Sequence, residues 1–188
     1  MNHLCDRENK FKSKQLFVGL GLLSASLYAC ISEPGSTDTL HVDVEAVVAR
    51  AIVTPVDGVT SSGQPDQAAF EVFSESGYVA VIDIRGEKED RGMEDEQAAI
   101  ENLGMDYVLL PIEGEAAINF DNAAKLDELI ASYDGPVLVH CGSGNRVGAL
   151  LALRKSLDGA SDEEAFAYGK QGGLTRFEDV VKEQLSKN

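Results

Sequence analysis

An α/β sandwich with a mostly parallel central sheet flanked by helices is the fold class this sequence predicts, on three observations. Val79-Ala80-Val81-Ile82-Asp83-Ile84 and Val137-Leu138-Val139 are near-continuous apolar runs, the pattern of strands covered on both faces. Segments with helical spacing of apolar residues separate them. Gly77, Gly104 and Asp134-Gly135-Pro136 punctuate the junctions. Strands alternating with helices around a buried sheet make a layered α/β domain.

Taken in order, Val47 to Val53 is a β-branched stretch that predicts a first strand, and Gly58 to Ser62 a second, short one. Pro65 suits the first turn of a helix that runs to Ser76 and stops at Gly77. The strand at 79–84 follows. A helix from about Asp95 to Leu103 ends at Gly104, and Tyr107 to Leu110 is the next strand. From Asp121 to Tyr133, residues Ala124, Leu126, Leu129, Ile130 and Tyr133 share one helical face, with Asp121 suited to capping its start. The strand at 137–139 leads through a glycine-rich turn into an apolar helix from about Val147 to Lys155. Ser161 with Glu164 and Thr175 with Glu178 have capping-box spacing and predict two short C-terminal helices.

The first 30 residues are a separate object. Arg7, Lys10, Lys12 and Lys14 precede a fourteen-residue, mostly apolar run from Leu16 to Ala29, too short for the roughly 20 residues of a membrane-spanning helix. A basic start, a short apolar core and a small residue before Cys30 predict a secretory signal over residues 1–30. Leu27-Tyr28-Ala29-Cys30 resembles a bacterial lipobox, which implies acylation at Cys30 and a periplasmic location. A plain signal peptide and an uncleaved anchor are the alternatives. Residues 31–44, rich in Ser, Pro, Gly, Thr and Asp, predict a flexible tether, and 45–188 a single catalytic domain.

Loss of residues 1–29 removes four basic and two acidic side chains, so the net charge passes from −16 to −18. That surface repels phosphate backbones and excludes a nucleic-acid partner; the membrane is met only through the N-terminal anchor. It also gives an anionic substrate no long-range steering, so an anion site has to work by local geometry. The acidic run Glu87 to Glu96 predicts a solvated surface, and no His or Cys joins it to suggest a metal.

Of the three cysteines, Cys5 and Cys30 belong to the signal segment, which leaves Cys141 without a disulfide partner in the domain. Its neighbours decide its role. In His140-Cys141-Gly142-Ser143-Gly144-Asn145-Arg146, a glycine-rich turn joins a buried strand to an apolar helix, where backbone N–H groups converge on an anion. Gly142 and Gly144 let the turn adopt positive φ, and Arg146 brings a fork that grips two oxygens. A helix N-terminus, an arginine and a histidine favour thiolate over thiol, so Cys141 is predicted to be a solvent-reachable nucleophile. His140, at the end of a buried strand, is expected to orient the loop by hydrogen bonding. No metal or organic cofactor is implied.

At these residues the chain resembles the bacterial beta-lactamase-hydrolase-like phosphatase family, a member of the dual-specificity and protein-tyrosine-phosphatase-like superfamily. Ser62-Gly63-Gln64-Pro65, Val81-Ile82-Asp83-Ile84-Arg85, Leu110-Pro111-Ile112-Glu113-Gly114 and Val139-His140-Cys141 through Arg146 carry the resemblance in order over roughly residues 45–185. It implies a cysteine-phosphatase-like sandwich, with Gly142, Ser143, Gly144 and Asn145 as the anion-binding loop. It also implies a carboxylic acid on a separate loop roughly thirty residues before the cysteine. Glu113, 28 residues before Cys141, is the expected acid, with Glu115 second. Arg85 is expected to pair with a nearby carboxylate.

Two departures bear on activity. Cysteine phosphatases place five residues between Cys and Arg, whereas this chain has four, which resembles rhodanese-like sulfurtransferases. One amide fewer costs about 3 kcal/mol, or 10²–10³ in rate, if it counts as an oxyanion-hole donor. Val147 stands where phosphatases carry a Ser or Thr that helps the thiolate leave. Three readings follow: phosphate monoester hydrolysis through a thiophosphoryl-cysteine, sulfur transfer through a Cys141 persulfide, and non-catalytic anion or partner binding. The corresponding partners are a phosphate ester, a sulfane-sulfur donor or a phosphoprotein.

Overall fold

The computed structural model describes residues 39–55 and 58–187. The signal segment, Cys30 and tether residues 31–38 lie outside the described residues. Five parallel strands form one sheet: β1 (Leu40–Val42), β2 (Thr60–Ser62), β3 (Ala80–Asp83), β4 (Asp106–Leu109) and β5 (Val137–His140), in the order β1-β2-β5-β3-β4. Every connection is therefore a crossover, and helices cover both faces. On one side lie α1 (Val44–Arg50), α2 (Gln67–Glu75) and α3 (Glu96–Asn102); on the other lie α4 (Phe120–Ala131), α5 (Asn145–Leu157), α6 (Asp162–Gln171) and α7 (Glu178–Leu185). Among the described residues no helix is long and apolar enough to cross a membrane.

The alternation of β5 sets up the site. Val137, Val139 and Cys141 face the layer of α4 to α7, while Leu138 packs with Phe70 and Phe73 of α2 on the opposite layer. β3 alternates in step: Ala80, Ile82 and Ile84 on the first face, Val81 on the second. Asp83 and His140 are paired across β3 and β5, so both side chains belong to the α2–α3 side. The thiol and the histidine beside it thus end up on opposite faces of the sheet.

The structure departs from the expected elements in four places. The β-branched stretch 47–53 is not a strand: Asp43 caps a helix there, its carboxylate accepting the N–H groups of Glu45 and Ala46, and Val47 is the buried contact. The edge strand lies earlier, at Leu40–Val42, within the span expected as tether. Helix α4 is capped by Asn119 rather than Asp121, through Asn122 N–H at 2.9 Å. The Ser161–Glu164 capping box forms, but the Thr175–Glu178 one does not. Thr175 is drawn to Asn145 instead, and Glu178 pairs with Lys170.

Candidate active site

The turn from β5 into α5 is braced from β2. Cys141 N–H donates to Ser62 O and Gln64 N–H to Gly142 O, each at 3.4 Å, and Gly63 bridges to Ser143. Gln64 in turn donates its side-chain amide to Arg91 O at 2.6 Å. The Ser62-Gly63-Gln64-Pro65 motif is thus a strut behind the loop. Gly144 caps α5 with φ 79°, and a Cβ there would lie 2.4 Å from the His41 ring, so only glycine fits this turn. His41 itself is held by Ser61 Oγ at 2.9 Å.

Cys141 is 1% exposed, which corrects the expectation of a solvent-reachable thiol. Its sulfur accepts Gly144 N–H at 3.1 Å, so one loop amide already points at it. Arg146, the second residue of α5, presents both terminal nitrogens to one carboxylate: Nη1 to Glu89 Oε1 at 2.5 Å and Nη2 to Glu89 Oε2 at 2.7 Å. Nη1 also donates to Ile112 O at 3.1 Å. The hydrogen bond from Arg146 holds the Glu89 carboxyl below its ordinary range, against a smaller opposing effect of burial.

A cavity of about 590 Å³ opens over the loop, lined by Gly142, Ser143, Asn145 and Arg146 with Glu89, Glu115, Arg176 and Phe177. Three expected roles change on this geometry. Glu113 does not line the cavity; its Oε1 accepts Glu87 N–H at 3.0 Å and the side chain lies against Gly86, so Glu115 and the Arg146-bound Glu89 are the carboxyls at the mouth. Asn145 gives its side chain to structure rather than to the anion: its Oδ1 accepts the N–H groups of Thr175, Arg176 and Phe177 and the Thr175 hydroxyl. Neither ring nitrogen of His140 has a hydrogen-bond partner. Its ring meets Phe70 edge-on at 5.9 Å between centroids, and burial pushes its pKa down to about 3. A neutral, buried His140 therefore supplies no charge to the thiol.

Behind the loop the last residue of the acidic run departs from the solvated surface that the others form. Glu96 is buried, and Arg85, itself 1% exposed, donates to it and bidentately to Asp83 at 2.9 Å. Arg91 and Tyr107 add hydrogen bonds to Asp83 Oδ2 at 2.6 and 3.0 Å. Arg85 pairs with carboxylates as its sequence context predicts. Asp83, Glu96 and His140 bring metal-ligand atoms within 4.8 Å of one another, but Arg85 and Arg91 already neutralise the carboxylates, so this donor set does not suit a divalent ion.

Arg176, Glu89 and His41 are the site residues the sequence did not reveal. Arg176 follows a Gly-Gly-Leu-Thr stretch with no local pattern, Glu89 sits in an acidic run, and His41 lies in the expected tether.

A parallel sheet carrying a cysteine-and-arginine loop between β5 and α5 defines a phosphatase-like α/β domain. The chain belongs to the family described as beta-lactamase hydrolase-like protein, phosphatase-like domain, which matches residues 50–158. A beta-lactamase hydrolase-like protein of Xylella fastidiosa is 38% identical over 117 residues, 60% of this chain and 27% of its own length. One from Agrobacterium fabrum is 35% identical over 122 residues, 62% and 28% of the two chains. This chain thus spans little more than a quarter of those relatives. Among solved structures, a Neisseria meningitidis protein assigned as a phosphatase shares the fold at TM-score 0.56 and 21% identity, over 66% of this chain and 91% of its own. The catalytic domain of the PP-IP phosphatase SIW14 from S. cerevisiae does so at TM-score 0.52 and 14% identity, over 67% and 77%.

Proposed function

We propose that the domain hydrolyses a phosphate monoester through a covalent cysteine intermediate. The observation that carries this reading is the Arg146 fork, which faces the cavity and already holds two oxygens of one anion, those of Glu89. A phosphoryl group taking the place of that carboxylate meets the same two donors. Cys141 Sγ, buried under the loop and outside the cavity lining, is reached only when the loop opens over it; as thiolate it then attacks phosphorus, the bond from phosphorus to the ester oxygen breaks, and Glu115 gives that oxygen its proton. Water then attacks the thiophosphoryl-cysteine with ionised Glu115 taking a proton, and phosphate leaves as the thiolate is restored. Val147 offers no hydroxyl to assist that second step.

The four-residue spacing between Cys141 and Arg146 supports sulfur transfer through a Cys141 persulfide as the second reading. One experiment separates them: residues 31–188 assayed side by side with an aryl phosphate and with thiosulfate plus cyanide. Phosphate release that disappears in Cys141→Ser and falls strongly in Arg146→Lys supports the first reading. Thiocyanate formation without phosphate release supports the second, and binding of phosphate without either turnover leaves a non-catalytic anion-binding protein. Export with acylation at Cys30 is proposed from the N-terminal sequence alone. A native chain that takes up no fatty acid at Cys30 in metabolic labelling would overturn it.

A further inference from the structure

We infer that Arg176 and the Ser143 hydroxyl form a second anion subsite beside Arg146, so that the preferred ester carries a further phosphate or carboxylate group. This deepens the phosphatase reading and rests on it.

The segment before α7 is fastened to the loop by a single buried oxygen. Asn145, 2% exposed, accepts N–H groups from Thr175 and Arg176 at 2.8 Å each and from Phe177 at 3.4 Å, with the Thr175 hydroxyl at 3.1 Å. Asn145 and Arg146 are neighbours in the first turn of α5, so this clamp ties the backbone of Arg176 to the residue that grips the scissile group. A backbone held by several hydrogen bonds presents its side chain with less freedom than an ordinary surface loop.

The Arg176 guanidinium is held ready rather than neutralised. It lines the same cavity as Arg146, and Nη2 donates to Ser143 Oγ at 3.3 Å. Among the described residues it makes no ion pair, whereas Arg85, Arg91, Arg146 and Arg154 all do. In a chain with 32 acidic and 16 basic side chains, an arginine left with a hydroxyl at the mouth of an anion site is available to an incoming anion. Phe177 adds an apolar wall against which an organic moiety packs. Arg176 is exposed, so its effect is on selectivity rather than on the chemical step.

The test compares kcat/KM for phenyl phosphate with that for meta- and para-carboxyphenyl phosphate and meta-phenylene bisphosphate. The native protein prefers the best doubly anionic ester by about three- to ten-fold, the range of an exposed to partly shielded arginine pair. Arg176→Ala brings that ratio to about one, and Arg176→Glu takes it below one. An unchanged ratio in both variants overturns the subsite. The same ratios of dissociation constants are measured by calorimetry in a Cys141→Ser background. If the native chain releases phosphate from no ester, the hydrolysis reading fails, and the binding ratios alone decide the subsite.

Discussion

Glu89 clasps Arg146 on both terminal nitrogens, at 2.5 and 2.7 Å, from a position 57 residues earlier in the chain. A carboxylate thus occupies the fork that the proposed chemistry requires for a phosphoryl group, and any oxyanion has to displace it. Glu89→Gln removes the competing charge and keeps the shape. Inorganic phosphate is then expected to bind about two- to five-fold more tightly at neutral pH, the worth of an exposed ion pair. The Glu89 carboxyl is held below its ordinary range by Arg146, so it stays charged at neutral pH and through the ordinary carboxylate range. The advantage of the variant should persist wherever that carboxyl is ionised and shrink once acid protonates it. Equal phosphate affinity in both proteins at pH 7 would show that Glu89 is no competitor.

The Asn145 clamp yields a stability prediction. Asn145→Ala leaves three backbone donors without their acceptor, at a cost of about 2–4 kcal/mol in denaturant unfolding. Asn145→Asp restores the acceptor and should recover most of that loss. It also sets a negative charge beside Arg146, so its phosphate affinity should fall although its fold is sound. Two variants of equal stability would mean that the clamp contributes little.

The parallel core and the loop were legible in the sequence because both are local signals. Apolar runs name the central strands, and Cys141, two glycines and Arg146 lie within six consecutive positions. Val47 to Val53 misled because β-branched residues also pack well on a one-sided helix, and the deciding signal was Asp43 as its cap. The contacts around the loop were illegible for a different reason. Arg176 reaches Ser143 across 33 residues and Glu89 reaches Arg146 across 57, and nothing local marks either pairing. Glu113 was favoured by its distance from Cys141 along the chain, yet backbone direction turns it onto Glu87 N–H.

Arg85 is expected to matter to folding more than any exposed ion pair. Arg85→Met leaves Asp83 and Glu96 buried with most of their compensation gone, which should cost about 3–5 kcal/mol. A loss under about 1 kcal/mol, the value of a surface pair, would show that water or Arg91 replaces it.

His140 predicts a pH dependence of known sign. Burial lowers its pKa to about 3 from an unperturbed 6.5, so the folded protein resists protonation that the unfolded chain accepts. Stability from this group is complete above about pH 6.5 and is lost as the pH falls from there towards 3. Asp83, pressed upwards by burial but brought below its ordinary value overall by Arg85 and its other partners, loses stability in the same direction at lower pH. Glu96 opposes both, because burial raises its pKa and its proton is bound more tightly in the folded state. His140→Gln should flatten the decline between pH 6.5 and 5, where Asp83 contributes little and Glu96 acts in the opposite sense. An unaltered slope in that window would assign the acid sensitivity elsewhere.

The identity of the acid can be settled by varying the leaving group. Glu115 lines the cavity, whereas Glu113 is turned onto the Glu87 backbone and Glu89 is kept charged by Arg146, so of the three only Glu115 is placed to give up a proton. General-acid assistance matters in proportion to how poorly the departing oxygen carries negative charge. Glu115→Gln should therefore slow phenyl phosphate hydrolysis by about 10²-fold, the lower end of the usual range, and 2,4-dinitrophenyl phosphate hydrolysis much less. Glu113→Gln lacks that signature: any loss it causes, through the 86–89 turn it supports, should be the same for both esters. If Glu113→Gln shows the leaving-group dependence and Glu115→Gln does not, the loop rearranges on binding so that Glu113 takes the place of Glu115. If neither shows it, the leaving oxygen receives its proton from water, and the rate should then depend steeply on leaving-group basicity in the native protein as well.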